Sequence, residues 1–365
     1  MRLVSLRATV AILFLTQLAL ASGCDECDPT KPSQGDRQPE WHFLGLESED
    51  IHALALDYPY LYACAWSSGL FRADVRESDP QWWQLGLSAA DFPTAKWGGL
   101  GDVIVLPDDV ILAASSYSTG SENLPGLHRS LDGGVTWARS DTGITFGSGR
   151  VCRVTCFAAC EHYVFAGTIE CGFYRSIDAG EHWELGGCNS TCASTQDWIG
   201  PSPVDCSIIW QIKNHFEGQS ISVSQDNGNS WDYLPWNIFG TALGALYEMT
   251  LDPRDANLAY IGMKDSVVKT EDLGSSFETV LRMPQGAQTW ALAHGEDAGH
   301  VFVLAGLYHR KTDTLEHLFY ELHCAEPRVD TLSIPIPGYA RGLLYDDERR
   351  TLYVAAKGGV YAYKQ

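Results

Sequence analysis

Ser130-Leu-Asp132-Gly-Gly134-Val-Thr-Trp137 returns as Ser176-Ile-Asp178-Ala-Gly180-Glu-His-Trp183, as Ser224-Gln-Asp226-Asn-Gly228-Asn-Ser-Trp231 and as Thr270-Glu-Asp272-Leu-Gly274-Ser-Ser-Phe277. The four aspartates stand 46, 48 and 46 residues apart. A period in the forties, filled with short apolar runs and turn residues, is the period of a β-propeller blade of about four strands. Each copy carries the chemistry of a tight hairpin. Gly supplies a positive φ without steric cost, and the Asp carboxylate can accept backbone N–H groups of its own turn. The Ser or Thr hydroxyl sits beside it on the incoming strand. The Trp or Phe opens the outgoing strand and packs between blades. Asp132, Asp178, Asp226 and Asp272 are therefore read as structural parts of turns, not as catalytic groups.

Working outward, the strand before each turn extends the count. Gly126-Leu-His-Arg129 and Gly172-Phe-Tyr-Arg175 match Gly69-Leu-Phe-Arg72, Ser266-Val-Val-Lys269, Gly306-Leu-Tyr-His309 and Gly359-Val-Tyr-Ala362, with Ser220-Ile-Ser-Val223 in the remaining place. Seven copies predict an all-β chain: a seven-bladed propeller of four-stranded blades over residues 40–365. The blades are mapped to 51–87, 98–143, 152–187, 203–235, 246–282, 287–323, and 339–365 joined by 40–47. The last blade ends on a third-strand match. Glu40-Trp41-His-Phe-Leu-Gly-Leu46 resembles the outer strands Trp82-Trp-Gln-Leu-Gly-Leu87 and Trp183-Glu-Leu-Gly-Gly187. The N-terminal strand is thus expected to close that blade and remove the open edges. Arg72, Arg129 and Arg175 are read as solvated stems on the column, covering apolar surface.

The S/T-x-D-x-G-x-x-W/F pattern resembles the Asp box, or BNR repeat, of the sialidase-like propeller superfamily, which includes sialidases, sortilin-type receptors and photosystem assembly propellers. The sialidase resemblance implies a Tyr nucleophile assisted by Glu, an Asp acid/base and three Arg that clamp a substrate carboxylate. That set does not emerge here. The strings nearest the family's early Arg segment, Leu70-Phe-Arg-Ala73 and Phe173-Tyr-Arg-Ser176, belong to the repeat column. Arg150, Arg153, Arg282 and Arg341 are the other candidates. Two-propeller glycosidases with such boxes need about twice this length. No Ser/His/Asp, P-loop or HExxH pattern stands out, so no catalytic residue is assigned. The expectation is a binding module for an envelope or extracellular protein or a glycan. The alternative is a glycoside hydrolase of sialidase-like type.

The repeated turns occupy one face of a propeller. The loops between blades, and those joining second to third strands, occupy the other face around the channel. On that face the sequence places Trp66, Trp97, Tyr117, Trp198 and Trp290, with Glu170, Glu217, Lys264, Asp265, Arg341 and Lys357. Aromatic rings beside a few charges suit sugar rings or a protein surface. Asp102, Asp108 and Asp109 are near one another in sequence and raise Ca²⁺, but no motif supports it and no cofactor is expected. His294 and His300 are read as satisfied polar residues of the sixth blade.

The first segment reads as an address. Arg2 and Arg7 precede 14 uncharged residues, Ala8–Ala21, too short to span a bilayer comfortably and suited to a signal peptide over 1–23. Ala19-Leu20-Ala21 fits ordinary cleavage. Ala21-Ser22-Gly23-Cys24 resembles a bacterial lipobox, which would make Cys24 the lipidated terminus. Residues 24–39 are polar and Pro-containing and read as a tether. The only membrane contact expected is through that anchor. Eleven cysteines in an exported chain predict disulfides: ten remain to pair if Cys24 carries lipid, and the loop 188–206, with Cys188, Cys192 and Cys206, is expected to be stiffened by one. Losing Arg2 and Arg7 takes the formal charge from −21 to −23. So acidic a chain repels phosphate backbones, which excludes nucleic acid as a partner.

Overall fold

The computed structural model describes residues 40–92, 98–115, 126–146, 150–169, 171–187, 195–215, 218–234, 246–295, 299–324 and 328–365. Seven four-stranded antiparallel sheets are arranged as a seven-bladed β-propeller. The inner strands, in blade order, are Ile51–Asp57, Leu100–Leu106, Val154–Cys160, Thr195–Pro201, Leu246–Leu251, Gln288–His294 and Ala340–Asp346. Each packs beside the next, and the first beside the last. A two-residue pair, Thr145–Phe146 with Arg150–Val151, bridges blades 2 and 3. The second strands are buried almost throughout, as in Val110–Ser115 and Thr351–Ala356. The core is therefore a set of layers between blades, and most of the hydrophobic stabilisation resides there.

The repeated turns do what their residue types dictate. Ser176 Oγ donates to Asp178 Oδ1 at 2.7 Å and accepts the Gly180 N–H at 2.8 Å, while Asp178 Oδ1 accepts the His182 N–H at 2.9 Å. The same set of bonds holds the turns of Asp132, Asp226 and Asp272. The Gly of each turn has positive φ, as at Gly180 (85°). The Trp that follows ties neighbouring blades. Trp137 Nε1 donates to Leu85 O at 2.7 Å, and Trp183 Nε1 donates to Ser140 O at 2.9 Å.

Closure follows the same rule. Glu40–Gly45 pairs antiparallel with Gly359–Lys364 and forms the outer strand of blade 7. Trp41 Nε1 donates at 2.7 Å to Ser333 O, which directly follows the outer strand of blade 6, and Trp82 Nε1 of blade 1 donates to Leu44 O at 2.7 Å. The N-terminal strand thus makes both inter-blade bonds of an ordinary outer strand.

Four expectations change. Blade 4 begins at Thr195, not 203, because its inner strand Thr195–Pro201 lies within the stretch read as a loop. Blade 6 runs to Leu332: its second strand His300–His309 and third strand Thr314–His323 have ten residues each, so Gly306–His309 lies on the second strand. The Arg column is not solvated. Arg72, Arg129 and Arg175 donate to carbonyl oxygens of the next blade's turn, Gly133 (3.4 Å), Asp178 (3.3 Å) and Asn227 (3.0 Å), and so join the inter-blade ties. Finally, Cys206 pairs with Cys160, not within the loop 188–206, and Cys152 pairs with Cys171, while Cys64, Cys156 and Cys324 keep their thiols. Cys188 and Cys192 lie outside the described residues.

Candidate functional site

Each inner strand carries a register shift at the same place near its start. One residue per blade is left over between paired neighbours: His52, Gly101, Thr155, Asp197, Tyr247, Trp290 and Arg341. A bulge of this kind re-aims a side chain and strengthens the local twist. Here seven of them ring the channel mouth on the face opposite the repeated turns. Three consecutive blades, 6, 7 and 1, contribute Trp290, Arg341 and His52.

Around Arg341 the geometry is tight. Its Nε and Nη2 donate to the two carboxylate oxygens of Asp50 at 2.8 and 2.9 Å, the bidentate fork that Arg forms with carboxylates. Burial pushes the Asp50 carboxyl up, but the Arg341 bonds and charge outweigh it and hold the pKa below its ordinary value. Burial, reinforced by the Arg341 charge, depresses the pKa of His52, whose ring stands 3.6 Å from Asp50. The His52 ring stacks on Trp66, centroids 4.6 Å apart. Trp66 lies over Gly99 of blade 2, where a Cβ would fall 2.5 Å from the indole. Trp290 lies across Gly306 in the same way and meets His317 edge-on at 5.6 Å and Tyr339 at 5.9 Å. Tyr339, half exposed, takes the Lys357 N–H on its carbonyl at 2.7 Å. Beside the Lys357–Gly358 turn, Trp41, Phe43, Pro335, Pro337 and Tyr361 line an open groove of about 500 Å³.

Trp66, Trp290, Arg341 and Lys357 therefore share one sector of the mouth, together with Asp50, His52 and Tyr339. Trp290 and Arg341 reach it from strand bulges, not loops. Trp198 lies on the inner strand of blade 4, not in a loop, and packs against the core between blades 4 and 5. Lys264 is exposed on blade 5 and bridges to Gln288. Asp265, positive in φ, accepts the Gly286 N–H at 2.5 Å and anchors the entry to blade 6. Trp97, Tyr117, Glu170, Glu217 and Cys24 lie outside the described residues.

Deeper in the channel stand two acids, each one residue past its bulge: Asp102, which the sequence sets only beside Asp108 and Asp109, and Glu248, which no sequence pattern marks. Asp102 accepts the Val103 N–H at 2.8 Å and, from the neighbouring blade, the Phe157 N–H at 2.7 Å. Glu248 accepts the Met249 N–H at 3.3 Å. These donors lie on inner strands, whose channel side has no partner strand, so the carboxylates satisfy an otherwise open edge. Burial pushes Asp102 up to about 7, against the pull of those N–H groups, and Glu248 up to about 8, with the Asp102 charge adding to it. Asp108 and Asp109 sit in the turn at the far end of the Asp102 strand, roughly 20 Å away at strand rise, so these three do not converge on a cation.

No family model and no curated protein sequence matches the chain. Solved structures do match, at identities that show the fold alone. YCF48 bound to D1 peptide is similar over 91% of this chain and 98% of its own, with 13% identity and a TM-score of 0.64. An ancestral GH74 enzyme is similar over 72% of this chain and 35% of its own, with 16% identity and a TM-score of 0.56. The extracellular domain of a hybrid two component system from B. thetaiotaomicron is similar over 89% of this chain and 39% of its own, with 12% identity and a TM-score of 0.57. Enzymes and binders thus share this scaffold, and what the chain does must be read from its own mouth.

Proposed function

We propose that the chain is an exported binding module that captures a peptide segment of an envelope or extracellular protein at the channel mouth of blades 6, 7 and 1. The observation that carries this reading is the surface formed by Trp66, Trp290 and Tyr339 around the Asp50–Arg341 pair, continued by the apolar groove along Trp41 and Phe43. Rings with fixed orientations and a planar guanidinium are the residue types that dominate binding energy in interfaces. The shape-related YCF48 was solved with a peptide bound. The two disulfides are compatible with an oxidising compartment. Export by the 1–23 leader and attachment at Cys24 complete the reading. Metabolic labelling with palmitate tests the attachment, with incorporation expected in the wild type and lost in Cys24→Ala.

Peptides selected on the purified protein from a random display library test the mouth. Trp290→Ala should weaken them by about tenfold or more, a hot-spot loss. Trp83→Ala, an exposed outer-strand control, should leave them unchanged. Failure to select any peptide, or binders indifferent to Trp66→Ala and Trp290→Ala alike, would refute the reading. A glycan array run beside it separates a sugar ligand from a peptide.

A second reading, glycoside hydrolysis, is favoured by two carboxyls of the channel, Asp102 and Glu248, whose pKa burial raises to about 7 and about 8, the direction a general acid needs. Turnover of fluorogenic glycosides that vanishes in Glu248→Gln would establish it. Absence of turnover is expected.

A further inference from the structure

On the face of the repeated turns, blade 6 differs from blades 2 to 5. It lacks the Ser/Thr-Asp-Gly turn that fastens their third and outer strands. At the same end it carries His300, which opens the second strand, and Glu321 and His323 near the close of the third. His300 and His323 are directly paired across the strands, and Glu321 pairs with Asp330 on the outer strand. One ligand atom from each of His300, Glu321 and His323 lies within 4.8 Å of the other two.

We propose that His300, Glu321 and His323 form a site for a divalent metal ion of the zinc class, which fastens this end of blade 6. Two imidazoles and a carboxylate are a borderline-soft donor set that zinc accepts. Glu321 is buried and both histidines are partly so. His300 Nδ1 stands 2.7 Å from Glu321 Oε1, yet this buried nitrogen makes no hydrogen bond. The contact is short without being a directed hydrogen bond, which leaves both atoms placed to bind one ion. Ligands of a tetrahedral zinc with bonds of about 2.0–2.1 Å stand roughly 3.3 Å apart, so this pair must open by roughly half an ångström on loading. The other supports are in place. Gln365 Nε2 donates to Glu321 Oε1 at 2.8 Å. Asp330, itself held by Arg328, stands 2.9 Å from His323 Nε2. A carboxylate behind a ligating imidazole orients the ring and raises its basicity, and it leaves Nδ1 of His323 to donate. His323 also borders an open pocket of about 370 Å³ shared with Tyr260, Cys324 and Arg328, through which an ion can enter.

The test uses the untagged, metal-stripped chain titrated with Zn²⁺ by calorimetry and with Co²⁺ by its visible absorption. The wild type should bind one equivalent of each, with the Co²⁺ spectrum of a four-coordinate nitrogen and oxygen site, and Zn²⁺ should raise its melting temperature. His300→Ala and His323→Ala should each abolish that equivalent, Glu321→Gln should do the same, and Asp330→Asn should weaken it by roughly tenfold to a hundredfold. His309→Ala, which removes an exposed His–Glu pair elsewhere on the blade, should bind as the wild type does. Near-ultraviolet circular dichroism without metal reports whether each variant is folded. If His300→Ala does not fold, His300→Gln and the Co²⁺ spectrum of the wild type decide. No saturable equivalent in the wild type, binding that survives the His300→Ala/His323→Ala double variant, or binding lost in His309→Ala would overturn the proposal.

Discussion

Deleting residues 40–47 should lower the melting temperature by about 10 °C or more, or abolish cooperative unfolding. The segment buries Leu44, sets Trp41 tilted against Tyr363 at 4.9 Å and against Phe319 at 5.7 Å, and supplies both inter-blade bonds at Ser333 and Leu44. At about 1.5–3 kcal/mol per fully buried large apolar side chain, losing buried Leu44 and partly buried Trp41, with the two inter-blade bonds, removes a sizeable part of a typical domain stability of about 5–15 kcal/mol. It also leaves Gly359–Lys364, buried up to Tyr363, as an unpaired edge open to aggregation. Differential scanning calorimetry of the deletion measures the loss. Addition of the peptide 40–47 in trans should restore part of it. A truncated chain that melts like the full one would mean the ring does not depend on this strand.

The second large effect is on pH dependence. A carboxyl whose folded pKa is raised keeps its proton longer in the native state. Its stabilising contribution is complete below the unfolded value and is lost as pH rises through the folded one. For Glu248 that window runs from 4.5 to about 8, and for Asp102 from 3.8 to about 7. The acids of the repeated turns act oppositely: Asp132 and Asp178, drawn down to about 2, lose their contribution as pH falls from 3.8 towards 2. His128, depressed by burial to about 4, loses its contribution as pH falls from 6.5 to about 4. The wild-type profile sums these terms, so the diagnostic quantity is the difference from Glu248→Gln. The amide keeps an acceptor for the Met249 N–H and carries no charge. This variant should match the wild type at pH 4 and melt several degrees higher at pH 8.5, about 5 °C if most of the burial penalty is relieved. An equal or lower melting temperature at pH 8.5 would show that the channel solvates Glu248.

Blade number and closure were legible because their signals are local. Gly180 and Asp178 announce a turn through their own backbone needs, and Trp41 resembles Trp82 because both perform the same inter-blade bond. The mouth was legible only in part. Trp66 and Lys357 follow second strands and could be placed by counting. Trp290 and Arg341 reach the mouth because a bulge turns them, and a bulge is a property of pairing register, absent from any residue's own preference. The same cause hid Asp102 and Glu248, each one position past its bulge. Gly306–His309 misled because blade 6 has ten-residue strands, which carry a third-strand look-alike onto the second strand. Blade 4 hid its inner strand because nothing in its composition separates Thr195–Pro201 from the loop before it.

The seven bulged positions have a consequence for how such a protein can change. Each is spare to its sheet, so the hydrogen-bonded ladder does not depend on which side chain stands there. Exchanging Arg341 rewrites its part of the rim and releases Asp50 of the neighbouring sector, whereas Trp290 also packs on the layer between blades 6 and 7. The mouth behaves as a dial whose neighbouring sectors are geared together through pairs such as Arg341–Asp50 and His52–Trp66. New ligand preferences can be composed stepwise, with the ladder kept and the neighbouring sector adjusting to each change.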